Sequence, residues 1–449
     1  MPVMCDFRPF RAWRYNLKKI KFSDVIAPPY DVISAEAQDR LYARSPQNCI
    51  RLILNKKEAG DSETHNGYLR ARQFFQEWRS GGVLTQDSAP CFSLYRQTFS
   101  DPADGDVKTR TAILGRIRLE PFEKGIVIAH EKTLSKPKED RRKLLEATRT
   151  NFSPVFGLYE DTGREILGSF GAVLAAKPDY EGVDDDGVRQ EVWVLRDSAT
   201  VARIQKAFSE KKIYIADGHH RYQTALDHSR RVREAEGVSS AEELPSDFVL
   251  MALVEMSDPG LVLMSTHRMI LPFTGFDSGK AVCALEPFFR TEAMTSESIL
   301  ARLKEPDAPA EPSMGLLFSD GRGFLLTLRD LRKAMEKMGL EKPELWCGLD
   351  VSLVSHLILG KLWGLPESEW EGTIRYTHSA SEAVRKAASG EFAAVFLLKD
   401  PPVRILRDMG AIGELLPQKT TYFYPKLASG LVFYHHCKGD YDGNQHPKG

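Results

Sequence analysis

The stretch from Lys212 to Leu226, KIYIADGHHRYQTAL, constrains this chain more than any other. Ile213, Tyr214, Ile215 and Ala216 form a short, apolar, β-branched run, which predicts a buried strand. Asp217 is suited to cap a helix, Gly218 permits a tight turn, and Tyr222, Ala225 and Leu226 share one face of a helix read from His219 to His228. A strand feeding a helix through Asp-Gly leaves unpaired N–H groups at the positive end of the helix dipole, where phosphate can be held. Arg221, one turn in, adds a bidentate grip, and His219 and His220 add imidazoles in the same turn. Ordinary capping would also account for Asp-Gly before a helix, but the density of chemistry in DGHHR favours a ligand site.

The rest of the chain is that of a globular protein. Its 449 residues suffice for two or three domains, and 42% hydrophobic and 27% charged residues are an ordinary globular profile. Lys and Arg number 61 against 62 Asp and Glu, so no whole-molecule basic field exists to hold nucleic acid. Six scattered cysteines without a CxxC pair suggest neither a zinc knuckle nor a disulfide framework. The N-terminus carries charges and aromatics where a secretion signal would be apolar, and no run is long enough for a membrane span. A cytoplasmic protein is expected, with no membrane and no nucleic-acid partner and with a homo-oligomer left open.

Alternating strand and helix patterns predict an α/β fold with mixed sheets. Two lobes are read, 1–255 carrying the DGHHR unit and 256–449. Ser34 caps a helix through Arg44, and NCIRLILN, 48–55, reads as a strand. Residues 92–119 fit a hairpin, and 179–190, with Asp184, Asp185 and Asp186, fits an exposed loop. Residues 248–255 and 261–270 read as paired strands, and His356 as a buried structural histidine in an apolar helix.

Three further segments carry chemistry. Pro28 and Pro29 make a stiff turn that presents Asp31. After a short strand at 126–129 come His130 and Glu131, candidates for substrate contact. Lys132, Lys136, Lys138 and Arg141 then offer positive charge to a phosphate or carboxylate, although such runs are often only solvated faces. The tail PQKTTYFYPKLASGL sets Lys419 and Lys426 around hydroxyls and aromatic rings, a set able to close over a nucleotide or to pack as a terminal strand. Loops on a rigid sheet gather around one cleft, so Asp31, the 130–138 loop and Lys419 to Lys426 are expected to converge on DGHHR.

APPYDVIS, HEKTLSKPKEDR, ADGHHRYQTAL, LDVSL and PQKTTYFYPKLASGL, in this order, resemble the bacterial and archaeal domain-of-unknown-function family numbered one thousand and fifteen. The strand-DGHHR-helix unit is more remotely similar to the phosphate-binding element of the ParB and sulfiredoxin superfamily, which includes ParB-type free-serine kinases. That resemblance implies a ParB/sulfiredoxin-like nucleotide-binding core with large α/β elaborations. It implies that Gly218, His219, His220 and Arg221 cradle phosphates, that Asp217 faces the substrate or a metal, and that Asp31 stands for the early catalytic acid. ATP, ADP or CTP with Mg²⁺ would be the cofactor. The expected activity is nucleotide-dependent phosphorylation of a small hydroxylated metabolite such as serine. The alternatives are a nucleotide-binding regulatory protein without turnover and a metal-dependent hydrolase using Asp217, His219 and His220.

Overall fold

A computed structural model describes residues 4–131, 135–239, 241–305 and 311–437, with the backbone alone at 135–137. The chain divides into two units, residues 1–262 with 425–449 and residues 263–424. The first unit runs past the boundary read at 255 because the following turn is tied to its sheet. Gly260 lies against the backbone of Thr109 and Arg110, and Asp258 accepts the Thr111 N–H.

The first unit is built on a nine-stranded mixed sheet. Its path runs Val127–Ile128, Ile213–Asp217, Val155–Tyr159, Phe248–Glu255, Val107–Arg118, Phe92–Ser100, Arg189–Leu195 and Tyr180–Val183, with Phe7–Arg8 paired beside Val107–Arg118. Ile213–Asp217 is parallel to Val127–Ile128 and antiparallel to Val155–Tyr159. The Phe248–Glu255 strand is buried at every position, which explains its unbroken apolar sequence. Ile213, Ile215, Tyr222, Met251 and Trp193 join one core cluster, over which the helices Ser198–Phe208 and His219–Glu236 pack. A separate aromatic cluster brings Phe75 and Phe152 together with Phe433 of the returning C-terminal segment.

The second unit has a six-stranded antiparallel sheet in the order Phe289–Ala293, Gly323–Leu328, Ser313–Leu317, Ala394–Leu397, His267–Ile270 and Ile374–Thr377. Met269, Ile299, Leu317, Val395 and Leu397 form its core. The apolar helix read at 349–363 is present, but from Leu353 to Leu362 it is wound as a π-helix. His356 is half-buried there between the rings of Trp346 and Trp370.

Three local readings are corrected. NCIRLILN is not a strand: Asn48 accepts the Ile50 N–H and donates to the carbonyls of Asp24 and Ile26, which coils Ile50–Ile53 into a helical turn. The 179–190 segment is not a plain loop. Tyr180–Val183 and Arg189–Leu195 pair across it, and Asp184 accepts the N–H groups of Asp186 and Val188 in the turn. Residues 248–255 and 261–270 do not pair, because Phe248–Glu255 is filled on both edges by Val107–Arg118 and Val155–Tyr159.

Gly157 shows how tightly the strand carrying DGHHR is held. A Cβ there would lie 2.7 Å from Leu253 Cδ2 and 3.0 Å from Ile213 Cγ2. Gly157→Ala is therefore expected to destabilise the first unit by about 1–3 kcal/mol. Urea unfolding indistinguishable from wild type would contradict this packing.

Candidate active site

Topology brings the chemistry to one edge of the first unit's sheet. Because Val127–Ile128 and Ile213–Asp217 are parallel, their following residues, His130 and Glu131 on one and Gly218 and His219 on the other, emerge side by side. The antiparallel neighbour Val155–Tyr159 starts at the same edge, so Ser153 and Pro154 arrive there too. A fourth segment comes from the C-terminus, where Ser429 exchanges backbone hydrogen bonds with Ala27 and brings Lys426 in.

The strand's last residue is aimed by a bulge. Ile215 pairs with Gly157 but Asp217 pairs with Phe156, so Ala216 is the extra residue. Strict alternation would point Asp217 to the core face used by Ile213 and Ile215, and the bulge turns it away. Asp217 is thus not the helix cap expected from the sequence. The cap position is Gly218, at φ 90° and ψ 26°, and no side-chain cap bond is made. The left-handed backbone favours glycine there, and a Cβ would lie 2.9 Å from the Arg221 guanidinium and displace it. The helix that follows runs to Glu236, well past the His228 expected.

Asp217 lies between two cations. Arg221 Nη2 donates to Oδ2 at 2.7 Å and Lys426 Nζ to Oδ1 at 2.8 Å. Arg221 also donates to the Pro154 carbonyl. Burial opposes the charged carboxylate, but Lys426 and Arg221 outweigh it and hold the Asp217 carboxyl well below its usual range. The three side chains together carry one net positive charge at the N-terminus of an 18-residue helix.

The histidines are more enclosed than a substrate-facing role suggests. His130 and His219 are 3% and 6% exposed, with rings edge to face at 4.4 Å. His130 Nδ1 meets the Ile215 carbonyl at 2.6 Å, and the His130 N–H donates to His219 Nε2 at 3.3 Å. Burial lowers the His130 pKa to about 4 and that of His219 well below its ordinary value, so both rings are neutral at pH 7. His220 and Glu131 are half-buried.

A cleft beside this cluster is lined by Tyr30, Arg141, Asn151, Ser153, Arg221 and Thr224, among others. Its volume is about 50 Å³, several times the space one water needs. Tyr30 is seated under the Arg141 guanidinium at 3.8 Å, so the Pro-Pro turn reaches the cleft, with Asp31 exposed in the next position. Arg141 is held by Asp140 and by the Ile53 carbonyl. Sequence reading missed Tyr30, Ser153 and Thr224. Thr224 follows Arg221 by three residues, hence shares its helix face, and its buried hydroxyl has no hydrogen-bond partner among the described residues. Lys132 and the Lys136 side chain lie outside the described residues. Lys419 belongs to the second unit, exposed and at φ 57°, its carbonyl accepting from Arg268.

Mg²⁺ takes oxygen ligands, often one or two carboxylates completed by phosphates and waters. Both Asp217 oxygens accept from cations, and the cluster at the site that brings three metal-type ligand atoms together is His130, Glu131 and His219, with two nitrogens.

A mixed α/β chain with these motifs belongs to a defined family. It is the one described as Protein of unknown function (DUF1015), whose sequence pattern matches residues 7–352. No curated protein matches the chain. Among solved structures, it is similar to a conserved hypothetical protein from Pyrococcus furiosus, at 14% identity and a TM-score of 0.33, over 70% of this chain and 91% of that one. It is similar also to a free serine kinase in complex with AMP, at 15% identity and a TM-score of 0.32, over 69% and 86%. SbnI with C-terminal truncation from Staphylococcus aureus gives 9% identity and a TM-score of 0.33, over 70% and 85%. Among the described residues no helix is long and apolar enough to cross a membrane.

The shared carboxylate makes Asp217 and Lys426 energetically interdependent. Asp217→Asn leaves two enclosed cations facing a neutral amide, whereas Asp217→Asn with Lys426→Met leaves one. The double variant should be more stable than the summed single effects imply, by about 0.5–3 kcal/mol. Strict additivity in urea unfolding would show that the pair is not coupled.

Proposed function

We propose that this chain is a nucleotide-dependent phosphotransferase acting on a small hydroxylated metabolite, with serine the first acceptor to test. The observation that carries the reading is the pair of cations, Arg221 and Lys426, sharing Asp217 at a helix N-terminus beside an open cleft. Phosphoryl transfer asks for positioning and charge neutralisation more than for covalent chemistry, and this arrangement supplies both. Arg221 spends one N–H on Asp217 and one on Pro154, leaving others of its five for phosphate oxygens. The helix N–H groups at His219 and His220 add to the cradle.

In the reaction, the acceptor oxygen forms a bond to the transferred phosphorus as the bond to the leaving phosphate oxygen breaks. Asp31, exposed on its stiff turn next to Tyr30 of the cleft, takes the acceptor's proton. Asp217 is a positioning residue that holds Arg221 and Lys426 in place. With both of its oxygens engaged, Asp217 also favours a second reading, a nucleotide-binding regulatory protein without turnover.

Calorimetry with ATP, ADP, CTP and pyrophosphate tests the binding. Arg221→Ala removes charge-assisted bonds worth about 1.5–3 kcal/mol, so nucleotide affinity should fall tenfold or more. Wild type that binds none of these ligands, or an unchanged affinity in the folded variant, would end the reading.

Turnover separates the enzyme from the regulator. Asp31→Asn should lower kcat about 10²–10⁴-fold while nucleotide affinity stays close to wild type. Phosphorus NMR of wild type with serine and other small alcohols provides the reference. Tight binding without transfer to any acceptor would replace the kinase with the regulator.

A further inference from the structure

His130, Glu131 and His219 each offer one ligand atom, and those atoms lie within 4.8 Å of one another. We propose that these three side chains form a binding site for a first-row transition-metal cation of the Mn²⁺ to Zn²⁺ class. The proposal goes beyond the phosphotransferase reading and does not depend on it, since the site is defined by its donors and not by a nucleotide.

Three observations support a built site. First, the two imidazoles come from segments 89 residues apart and are both nearly fully enclosed, so the fold and not local chain geometry juxtaposes them. Second, the Ile215 carbonyl, 2.6 Å from His130 Nδ1, fixes that ring's tautomer and turns Nε2, at the opposite edge, into the acceptor. Metal-binding histidines are held by such carbonyl bonds as a rule. Third, two imidazoles and one carboxylate form the donor set of divalent iron, manganese and zinc sites, and not of Mg²⁺ or Ca²⁺.

The geometry needs only modest adjustment. Bonds of about 2.0–2.2 Å to one ion bring donors to roughly 3–3.5 Å from each other. Half-buried Glu131 can swing in, and a metal at His219 Nε2 would replace the long 3.3 Å bond accepted from the His130 amide. The ligand atoms of Glu58, Asp61 and His65 are as close, but all three of those residues are exposed, whereas His130 and His219 are buried.

The test uses the full chain stripped with chelator and dialysed, titrated calorimetrically with MnCl₂, ZnCl₂ and MgCl₂, with metal content checked by mass spectrometry. Wild type is expected to bind about one equivalent of Mn²⁺ or Zn²⁺, with Mg²⁺ weaker by tenfold or more. Glu131→Gln should weaken binding about 10–100-fold, and His219→Ala should abolish it, while His65→Ala leaves it unchanged. Glu131, being half-buried, keeps the test decisive if His219→Ala does not fold. Absence of stoichiometric binding by wild type, unchanged affinity in Glu131→Gln, or Mg²⁺ bound as tightly as Mn²⁺ would each overturn the proposal.

Discussion

One carboxylate between two cations ties the first unit together. Asp217 is removed from most of its water, and in such surroundings an ion persists only when opposite charge and hydrogen bonds replace the solvent. Arg221 and Lys426 do so from very different separations along the chain, one from the helix that the strand launches and one from 209 residues further on. Asp217, Arg221 and Lys426 together sum to one positive charge at the N-terminus of the helix.

The rest of the edge is arranged to keep those three groups in register. The bulge at Ala216 aims the carboxylate, Gly218 lets the Arg221 guanidinium fold back over the turn, and the Pro154 carbonyl fixes the guanidinium from the other side. Lys426 is held just as firmly. Its carbonyl accepts from Gln97, and the preceding Pro425 carbonyl accepts from the buried Arg110. Further along, Phe433 anchors the segment among Phe75 and Phe152. A cation carried on so constrained a backbone has little conformational freedom left to lose.

The strand, turn and helix around DGHHR were legible because β-branching, glycine and helical spacing are local signals. The family resemblance was legible for the same reason, as five short segments in fixed order. The role of Asp217 was not, since it depends on a bulge defined only by the pairing partner and on Lys426, whose distance along the chain hides the contact. NCIRLILN misled because its apolar run suits a strand, whereas Asn48 bonds to backbone groups near Asp24 that no window around 48–55 contains. At 184–188 the needed information was local: an aspartate accepting N–H groups two and four residues on is a turn, and the acidic run distracted from it. His130 and His219 stand 89 residues apart, and only the parallel pairing of their strands makes them neighbours.

The first unit is interrupted by the second and resumes at residue 425. During synthesis, Asp217 and Arg221 therefore leave the ribosome long before Lys426 exists. At about 5–20 residues per second the intervening unit takes roughly 10–30 seconds to make. Through that interval the nascent sheet lacks Phe433 in its aromatic cluster and the second cation at its edge. The pairing of Asp217 with Lys426 is thus a feature that the chain acquires only after the inserted unit has been made.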